Sequence, residues 1–290
     1  MTGDDAAPLT LAEAVHLARE ALEGGEPMAS VTVIDSRAGD GSAAPPPGTR
    51  MAVWADRRRG TLGDPRLDEQ AAAFAREALA PGARVGTREI SAGEVVCEIY
   101  AEPHHAPPEL VIVGAGHIAR PLCRVGALLG FRVTVLDDRP EFATRERFPE
   151  AAEVRRADFA DPFAGVPITP RTHLVLVTRG HKYDFEALRD VLRRPTVPAY
   201  IGMVGSRRRT RAALEQLARE GIAPERIAAV RAPVGLDVHA ETPEEIAVAI
   251  AAEMVLLRRG GTGRPLRETE RVWERWVAPR GDRNPEGGGP

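Results

Sequence analysis

The spacing of hydrophobic residues changes once along this chain, near residue 108. Before that point, polar and apolar residues alternate in short stretches that predict strands, at 28–34, 51–54, 85–90 and 95–101. Two other stretches, 10–22 and 67–79, show the three-to-four-residue spacing of amphipathic helices. Residues 1–106 are therefore predicted to form a small α+β domain.

After residue 108, short and almost wholly apolar stretches alternate with helical ones. The predicted strands lie at 110–113, 132–136, 153–155, 173–178 and 199–204. Helices are predicted after Gly116, Asp184 and Ser206, and again from Pro243 to about Leu257, behind a capping-box pattern. Strands that are buried on both faces and separated by helices are typical of a parallel sheet, so we predict a Rossmann-like, doubly wound α/β domain over 107–266.

Two further segments are predicted to lie outside the domain cores. Residues 104–108, His-His-Ala-Pro-Pro, form a stiff linker, because proline fixes its own φ and restricts the residue before it. Residues 267–290 are rich in glycine, proline and charge, and are predicted to be a flexible tail that includes Trp273 and Trp276.

Composition narrows the class of protein. The 290 residues carry a formal net charge of -3, which disfavours a nucleic-acid coat or a polybasic membrane anchor. The two cysteines are far apart, so they predict neither a disulfide framework nor a tetrahedral metal site. No stretch resembles a signal peptide or is long enough to span a bilayer, and we expect a cytoplasmic protein.

A glycine motif follows the first strand of the predicted parallel sheet. In Gly114-x-Gly116-x-x-Ala119, the first glycine permits a tight turn and the second lets a phosphate approach the backbone. Free amides and the helix dipole at such a turn favour an anion. Asp137 ends the next strand, where an acid accepts hydrogen bonds from ribose hydroxyls; a solvated loop is the alternative. Asp138 and Arg139 follow directly.

Two more loops carry concentrated charge at the ends of buried strands. Residues 178–184 read Thr-Arg-Gly-His-Lys-Tyr-Asp and hold Lys182, the only lysine of the chain. Residues 202–209 read Gly-Met-Val-Gly-Ser-Arg-Arg-Arg, and three cations at a helix start oppose the helix dipole unless an anion is bound. The alternatives are a solvated turn in which Asp184 caps a helix, and a solvated basic helix face.

The carboxyl ends of parallel strands meet at one edge of a sheet, so these four loops are expected to lie together. They predict a basic pocket that contains the glycine-loop amides and the side chains of Arg139, Arg179, His181, Lys182 and Arg207. Such a pocket suits a phosphate-bearing ligand.

Other reactive side chains do not form a catalytic group. Cys97 and Cys123 are predicted to pack in the two domains, since neither lies in a CxxC motif or beside a histidine. His104 and His105 are predicted to be solvated linker residues. His239 lies in the loop before the last helix and is a possible pocket wall. We therefore predict no catalytic dyad and no metal site.

Five motifs resemble the XdhC/CoxI family, the accessory factors of xanthine dehydrogenase and related molybdenum hydroxylases. They occur in the family's order and spacing, over about 110–266. The motifs are Gly114-Ala-Gly-His-Ile-Ala119, Asp137-Asp-Arg-Pro-Glu-Phe142, Thr178-Arg-Gly-His-Lys-Tyr-Asp184, Tyr200-Ile-Gly-Met-Val-Gly-Ser206 and Gly235-Leu-Asp-Val-His-Ala-Glu-Thr-Pro-Glu-Glu-Ile246.

The resemblance implies a maturation chaperone rather than an enzyme. Such a protein binds molybdenum cofactor, as molybdopterin or its dinucleotide form, and holds it while a cysteine desulfurase installs the sulfido ligand. It then delivers the cofactor to an apo-hydroxylase, and a homodimer is expected. The residues expected to bind the cofactor are Gly114, Gly116, His117, Asp137, Asp138, Arg139, Arg179, Gly180, His181, Lys182, Gly205, Ser206, Arg207 and Arg208.

The N-terminal domain departs from the family pattern at one place. Residues 47–51 and 60–63 resemble the family, which often continues into Gly-Gly-Cys and an acid, whereas Asp64 and Pro65 follow here. A thiol contact to sulfur or molybdenum is thus not expected. Two other functions fit the same motifs: an NAD(P)-dependent oxidoreductase with His181 or Lys182 as proton donor, and a nucleotide-sensing scaffold.

Overall fold

The first sheet of the molecule is antiparallel and belongs to the N-terminal part of the chain. A computed structural model describes residues 7–39, 43–80, 83, 86–158 and 160–270. The sheet has the order β3-β2-β1-β5-β4, with helices α1 (Leu11–Leu22) and α2 (Pro65–Leu79) packed against it. Its strands are β1 (Met28–Ala38), β2 (Arg50–Val53), β3 (Arg58–Arg59), β4 (Gly86–Ala92) and β5 (Val95–His104).

The second sheet is parallel and has the order β11-β10-β9-β6-β7-β8. Its strands are β6 (Glu109–Val113), β7 (Arg132–Asp137), β8 (Glu153–Arg156), β9 (Thr172–Leu176), β10 (Tyr200–Met203) and β11 (Val230–Arg231). The helices of this part are α3 (Ala119–Leu128), α4 (His181–Arg193), α5 (Arg207–Arg219), α6 (Pro224–Ala228), α7 (Pro243–Arg259) and α8 (Leu266–Glu270). The predicted fold class, a Rossmann-like sheet with a smaller α+β domain, is confirmed.

The inner strands β6, β9 and β10 are buried on both faces, which explains why they are mostly apolar, whereas the edge strand β8 is more exposed and polar. One face, with Leu110 and Ile112, packs against α3 and α7. The other face, with Val111 and Leu174, packs against α4 and α5. The contact with α3 is close, because a Cβ added at Gly126 would lie 2.5 Å from Cδ2 of Leu110.

The strand order decides where the glycine loop lies. Strand β6 is in the middle of the sheet, and the chain leaves it first toward β7 and later toward β9 on its other side. The loop after β6 is therefore flanked by the loops after β7 and β9, at the point where the winding of the sheet reverses. Ligands bind at this switch point in doubly wound sheets.

Several predicted boundaries were wrong. Helix α4 begins at His181 rather than after Asp184, so Asp184 lies inside its first turn and Gly180 is the N-cap. The short elements β3, β11 and α6 were not predicted, because two to five residues carry no readable periodicity. His104 is the last residue of β5 and pairs with Ser30 through a 2.9 Å hydrogen bond, so it is not a solvated linker residue.

The C-terminal elements agree better with the prediction. Helix α7 begins at Pro243, and Thr242 and Glu245 form the expected capping box. The described chain ends in the short helix α8, within the segment predicted as a tail, and Trp273 and Trp276 lie outside the described residues. In the part of the chain that the structure describes, no helix is both long and apolar enough to cross a membrane.

Candidate functional site

The two glycines of the loop after β6 have different surroundings. Gly114 has φ +104°, and a Cβ there would lie 2.7 Å from the carbonyl oxygen of Val177, so glycine alone fits. Gly116 faces open space, since a Cβ there would meet no atom within 4 Å. Helix α3 starts at Ala119 without a side-chain cap, and the described hydrogen bonds use none of the amides of Gly116, His117 and Ile118. Gly116 and these unused amides form an open helix start, here called the anion seat, whose geometry suits an anion.

The carboxylate of Asp137 holds this loop in place, and both of its oxygens already accept two hydrogen bonds each. It is 2% exposed, and its Oδ2 accepts hydrogen bonds from the Ala115 amide at 2.7 Å and the Arg139 guanidinium at 2.9 Å. Its Oδ1 accepts two more, from the Arg139 amide and Nε, both at 2.9 Å. Burial alone would raise the pKa of Asp137, but these donors outweigh burial and hold its pKa below the usual value. A ribose hydroxyl meets no free carboxylate oxygen here.

A second ion pair joins the loops on either side of the glycine loop. Arg179, after β9, donates to both oxygens of Asp138, after β7, at 2.8 and 2.7 Å. The same guanidinium donates to the hydroxyl of Tyr183 at 2.8 Å and lies 4.6 Å from the centre of its ring. The hydrogen bonds to Asp138 raise the pKa of Arg179. Arg179 is thus paired with Asp138 although its side chain is 41% exposed.

The third pair is buried and joins the loop after β9 to the start of α5. Asp184 is 1% exposed and accepts a 2.5 Å hydrogen bond from the Thr178 hydroxyl. Arg209 also donates to Asp184, and it lies 3.3 Å from the Thr178 hydroxyl oxygen. Of the three arginines in this run, Arg209 therefore turns inward, while Arg207 and Arg208 are exposed.

The remaining predicted residues lie at the same edge of the sheet. Ser206 caps α5 by accepting from the amide of Arg209 at 3.3 Å, and Gly205 precedes it. Gly180 precedes α4, and His181 is the first residue of that helix. No ion pair among the described residues involves the exposed side chains of His117, Lys182, Arg207 and Arg208.

The predicted pocket is therefore less basic than its sequence indicates. Arg139 and Arg179, two of its expected cations, are neutralised by Asp137 and Asp138. The four loops do meet at one edge, because Arg179 and Arg209 bridge between them. Among the described residues, Lys182, Arg207 and Arg208 remain at this edge without an ion pair, and a further arginine, not among the predicted site residues, contacts the glycine loop.

That arginine is Arg147, in the connection between β7 and β8. Its guanidinium donates to the carbonyl oxygen of Ala115 at 3.3 Å, within the glycine loop. It lies 4.7 Å from the ring centre of Phe142, and the guanidinium of Arg139 lies 3.6 Å from the same ring centre. Among the described residues no carboxylate pairs with Arg147. Arg147 lies five residues after Phe142, outside the motif that ends there, and this closeness to the motif was the only signal in the sequence.

The thiols and other ionisable groups offer no reactive centre. Cys97 and Cys123 are fully buried, and burial raises the pKa of Cys123 to about 11. Within the described ranges no three histidine, cysteine or acidic side chains come together as a metal site. Asp64 caps α2 by accepting from the amide of Arg66 at 2.8 Å, so the segment that departs from the family's Gly-Gly-Cys serves a structural purpose.

The opposite, amino edge of the parallel sheet borders a cavity of about 580 Å³ between α1 and the starts of β6 to β8. Four of its charged residues form two ion pairs within the wall, Arg171 with Glu109 and Arg155 with Glu153. It lacks the open helix start that the glycine loop provides. The carboxyl edge is the better candidate for an anionic ligand.

The fold and the site together define a protein with a Rossmann-type parallel sheet, a glycine loop after its central strand and a second, antiparallel sheet. The family model described as the XdhC Rossmann domain matches residues 110–254, and the model described as the XdhC and CoxI family matches residues 21–90. The chain belongs to the XdhC/CoxI family.

Individual relatives agree with this assignment. The uncharacterized protein YqeB of Escherichia coli is 34% identical over 166 residues, 57% of this chain and 30% of that protein. A probable xanthine dehydrogenase subunit of Bacillus subtilis is 32% identical over 152 residues, 52% of this chain and 43% of that protein. The matches thus cover less than half of each relative.

A solved structure shares the fold. The crystal structure of a xanthine dehydrogenase from Bacillus halodurans superposes with a TM-score of 0.50 at 19% identity, over 86% of this chain and 96% of that one. At this identity the likeness bears on the fold alone.

Proposed function

We propose that this protein is an accessory factor that binds molybdenum cofactor at the carboxyl edge of its parallel sheet. It holds the cofactor during sulfuration and passes it to a xanthine dehydrogenase-type hydroxylase. The observation that carries the proposal is the open anion seat at Gly116, in a chain of the XdhC/CoxI family. Molybdopterin carries a phosphate and its dinucleotide forms carry a pyrophosphate, so both suit this seat.

The residues present fit the phosphate part of the cofactor. The free amides at the start of α3 supply hydrogen-bond donors, and Lys182, Arg207 and Arg208 supply exposed positive charge nearby. When bound, the molybdenum cofactor supplies the redox centre that the client enzyme uses. The chain itself binds the cofactor, orients it and shields it from solvent, and this role needs no reactive thiol; both cysteines of the chain are buried.

The same geometry weakens the rival function of an NAD(P)-dependent oxidoreductase. Ribose recognition at the end of the second strand needs a free acid. Asp137 offers none unless its bonds to Arg139 or Ala115 break. The partners we propose are a molybdenum hydroxylase and a cysteine desulfurase, with a second copy of this chain as a homodimer.

The proposal is tested by co-expressing the full chain in a host that makes molybdenum cofactor. The purified protein is oxidised, and its pterin is identified by fluorescence and mass spectrometry while molybdenum is measured in parallel. We expect near-stoichiometric pterin and metal. A chain that carries neither, yet binds NAD(H) on titration, would overturn the proposal in favour of the oxidoreductase.

Three variants test the placement of the site. Lys182→Ala and Arg207→Ala are each expected to remove a charge-assisted contact, worth about 1.5–3 kcal/mol, and to weaken cofactor retention without unfolding. Gly116→Val is expected to abolish retention, because its side chain occupies the open seat. Wild-type retention by all three variants would contradict this placement.

A further inference from the structure

The arginines that hold the glycine loop and its neighbouring loops are not equivalent: Arg139, Arg179 and Arg209 pair with carboxylates, whereas no described carboxylate pairs with Arg147. We propose that Arg147 binds the phosphate group of the ligand, whereas Arg139 and Arg179 position the loops. This inference rests on the proposed function, since it names a binding residue of the same site. It also gives the ligand class: a phosphate or pyrophosphate ester that is held without a ribose contact to Asp137.

Recruiting the other arginines would break contacts that the fold needs. If the Arg139 side chain turned to a ligand, the carboxylate of Asp137 would lose two of its four hydrogen bonds and its counter-charge while only 2% exposed. A buried carboxylate left without its cation is strongly unfavourable. Arg139 is therefore held by the protein.

The other two bridging arginines are also paired, Arg209 with a buried carboxylate and Arg179 with a more exposed one. Arg179 would have to release both oxygens of Asp138, and Arg209 would uncover Asp184, which is 1% exposed. Arg147 would lose at most one contact to a neutral carbonyl oxygen, at 3.3 Å. Among these four arginines, an incoming anion competes least for Arg147.

Arg147 also lies in the right place. Its carbonyl partner belongs to Ala115, directly before Gly116 and its open seat. Its Nε is buried without a hydrogen-bond partner, and the Phe142 ring lies against the guanidinium. A guanidinium matches the paired oxygens of a phosphate, so an anion at Gly116 would satisfy a charge that the described residues leave uncompensated.

A purely structural role for Arg147 is the competing explanation. Arg147 and Asp137 both hold Ala115 in place, since Arg147 donates to the Ala115 carbonyl and Asp137 accepts from the Ala115 amide. Arg147→Gln separates the two roles. Its amide can still donate to the carbonyl oxygen, but it carries no charge.

The experiment titrates the full chain with inorganic pyrophosphate by calorimetry at low and moderate salt. Arg147→Gln is expected to weaken pyrophosphate binding by about 10- to 100-fold and to reduce its salt dependence, as for loss of one charge-assisted contact. Arg147→Lys is expected to restore part of the affinity. The matched control is Arg132→Gln, which removes an exposed arginine at the amino edge of β7 and is expected to bind as wild type.

The outcomes separate this inference from the proposed function. Arg147-dependent pyrophosphate binding by a chain that retains no pterin supports the site and overturns the cofactor assignment. Wild-type affinity in Arg147→Gln, or no pyrophosphate binding by wild type, overturns the inference. If the unliganded variant loses both pyrophosphate affinity and the amide-exchange protection of β6 and α3, Arg147 has a structural role, and the inference that it binds the ligand is overturned.

Discussion

Asp137→Asn is the change that most directly tests how the glycine loop is held. Asparagine has almost the shape of aspartate but only one acceptor oxygen. Two of the four hydrogen bonds at this position, from Ala115 and Arg139, would then meet an N–H₂ group instead of an oxygen. The change also leaves the guanidinium of Arg139 without its counter-charge.

The expected loss of stability follows from burial. Asp137 is 2% exposed and the Arg139 side chain 26% exposed, so solvent screens this pair weakly. Removing one partner of a buried pair costs about 3–5 kcal/mol. We expect the unfolding free energy of the variant to fall by about 3 kcal/mol at neutral pH, near the lower end because Arg139 reaches solvent.

The loss should depend on pH in a defined direction. The folded pKa of Asp137 lies below its unfolded value of about 3.9, so the unfolded chain binds more protons in acid. The stability that this carboxylate contributes is complete above about pH 5 and is lost as pH falls through the folded pKa. The difference between wild type and variant should shrink over that window.

Urea unfolding followed by circular dichroism measures the difference, and hydrogen exchange of β6 and α3 localises it. The matched control is Asp138→Asn, which breaks the more exposed pair with Arg179 and is expected to cost less than about 1 kcal/mol. Equal stability of Asp137→Asn and wild type near neutral pH, or a difference that does not shrink in acid, would refute the reasoning.

Three further outcomes are expected. Gly114→Ala should lower the melting temperature markedly, because Gly114 has φ +104° and a Cβ there would lie 2.7 Å from the Val177 oxygen. Gly116→Ala should leave the melting temperature unchanged, and equal melting temperatures for the two variants would contradict this. Burial lowers the pKa of His173, so the stability that the neutral ring contributes is lost as pH falls below about 6.5. The unfolding free energy of His173→Gln should therefore depend less on pH between about 6.5 and 5, and an unchanged pH dependence would count against this reasoning. Iodoacetamide should label Cys97 and Cys123 only after denaturation, because burial raises both thiol pKa values, and rapid labelling of the folded chain would oppose the assignment.

The elements that local patterns define were predictable from the sequence. The apolar strands, the glycine turn at Gly114 and the capping box of Thr242 and Glu245 all depend on residues within a few positions of each other. The meeting of four loops at one edge also followed, since it is a general property of parallel sheets. The two-residue strands β3 and β11 did not, because pairing with a neighbouring strand defines them.

What the sequence determined by itself was therefore the kind of fold and the set of charged residues near the ligand edge. Only the tertiary structure decided how those charges are used. Arg179 pairs with Asp138 across 41 residues, and Arg209 with Asp184 across 25. Arg147 reaches Ala115 across 32 residues, and no carboxylate among the described residues pairs with it. The reason is physical: an ion pair depends on distance in space, and strand order sets that distance.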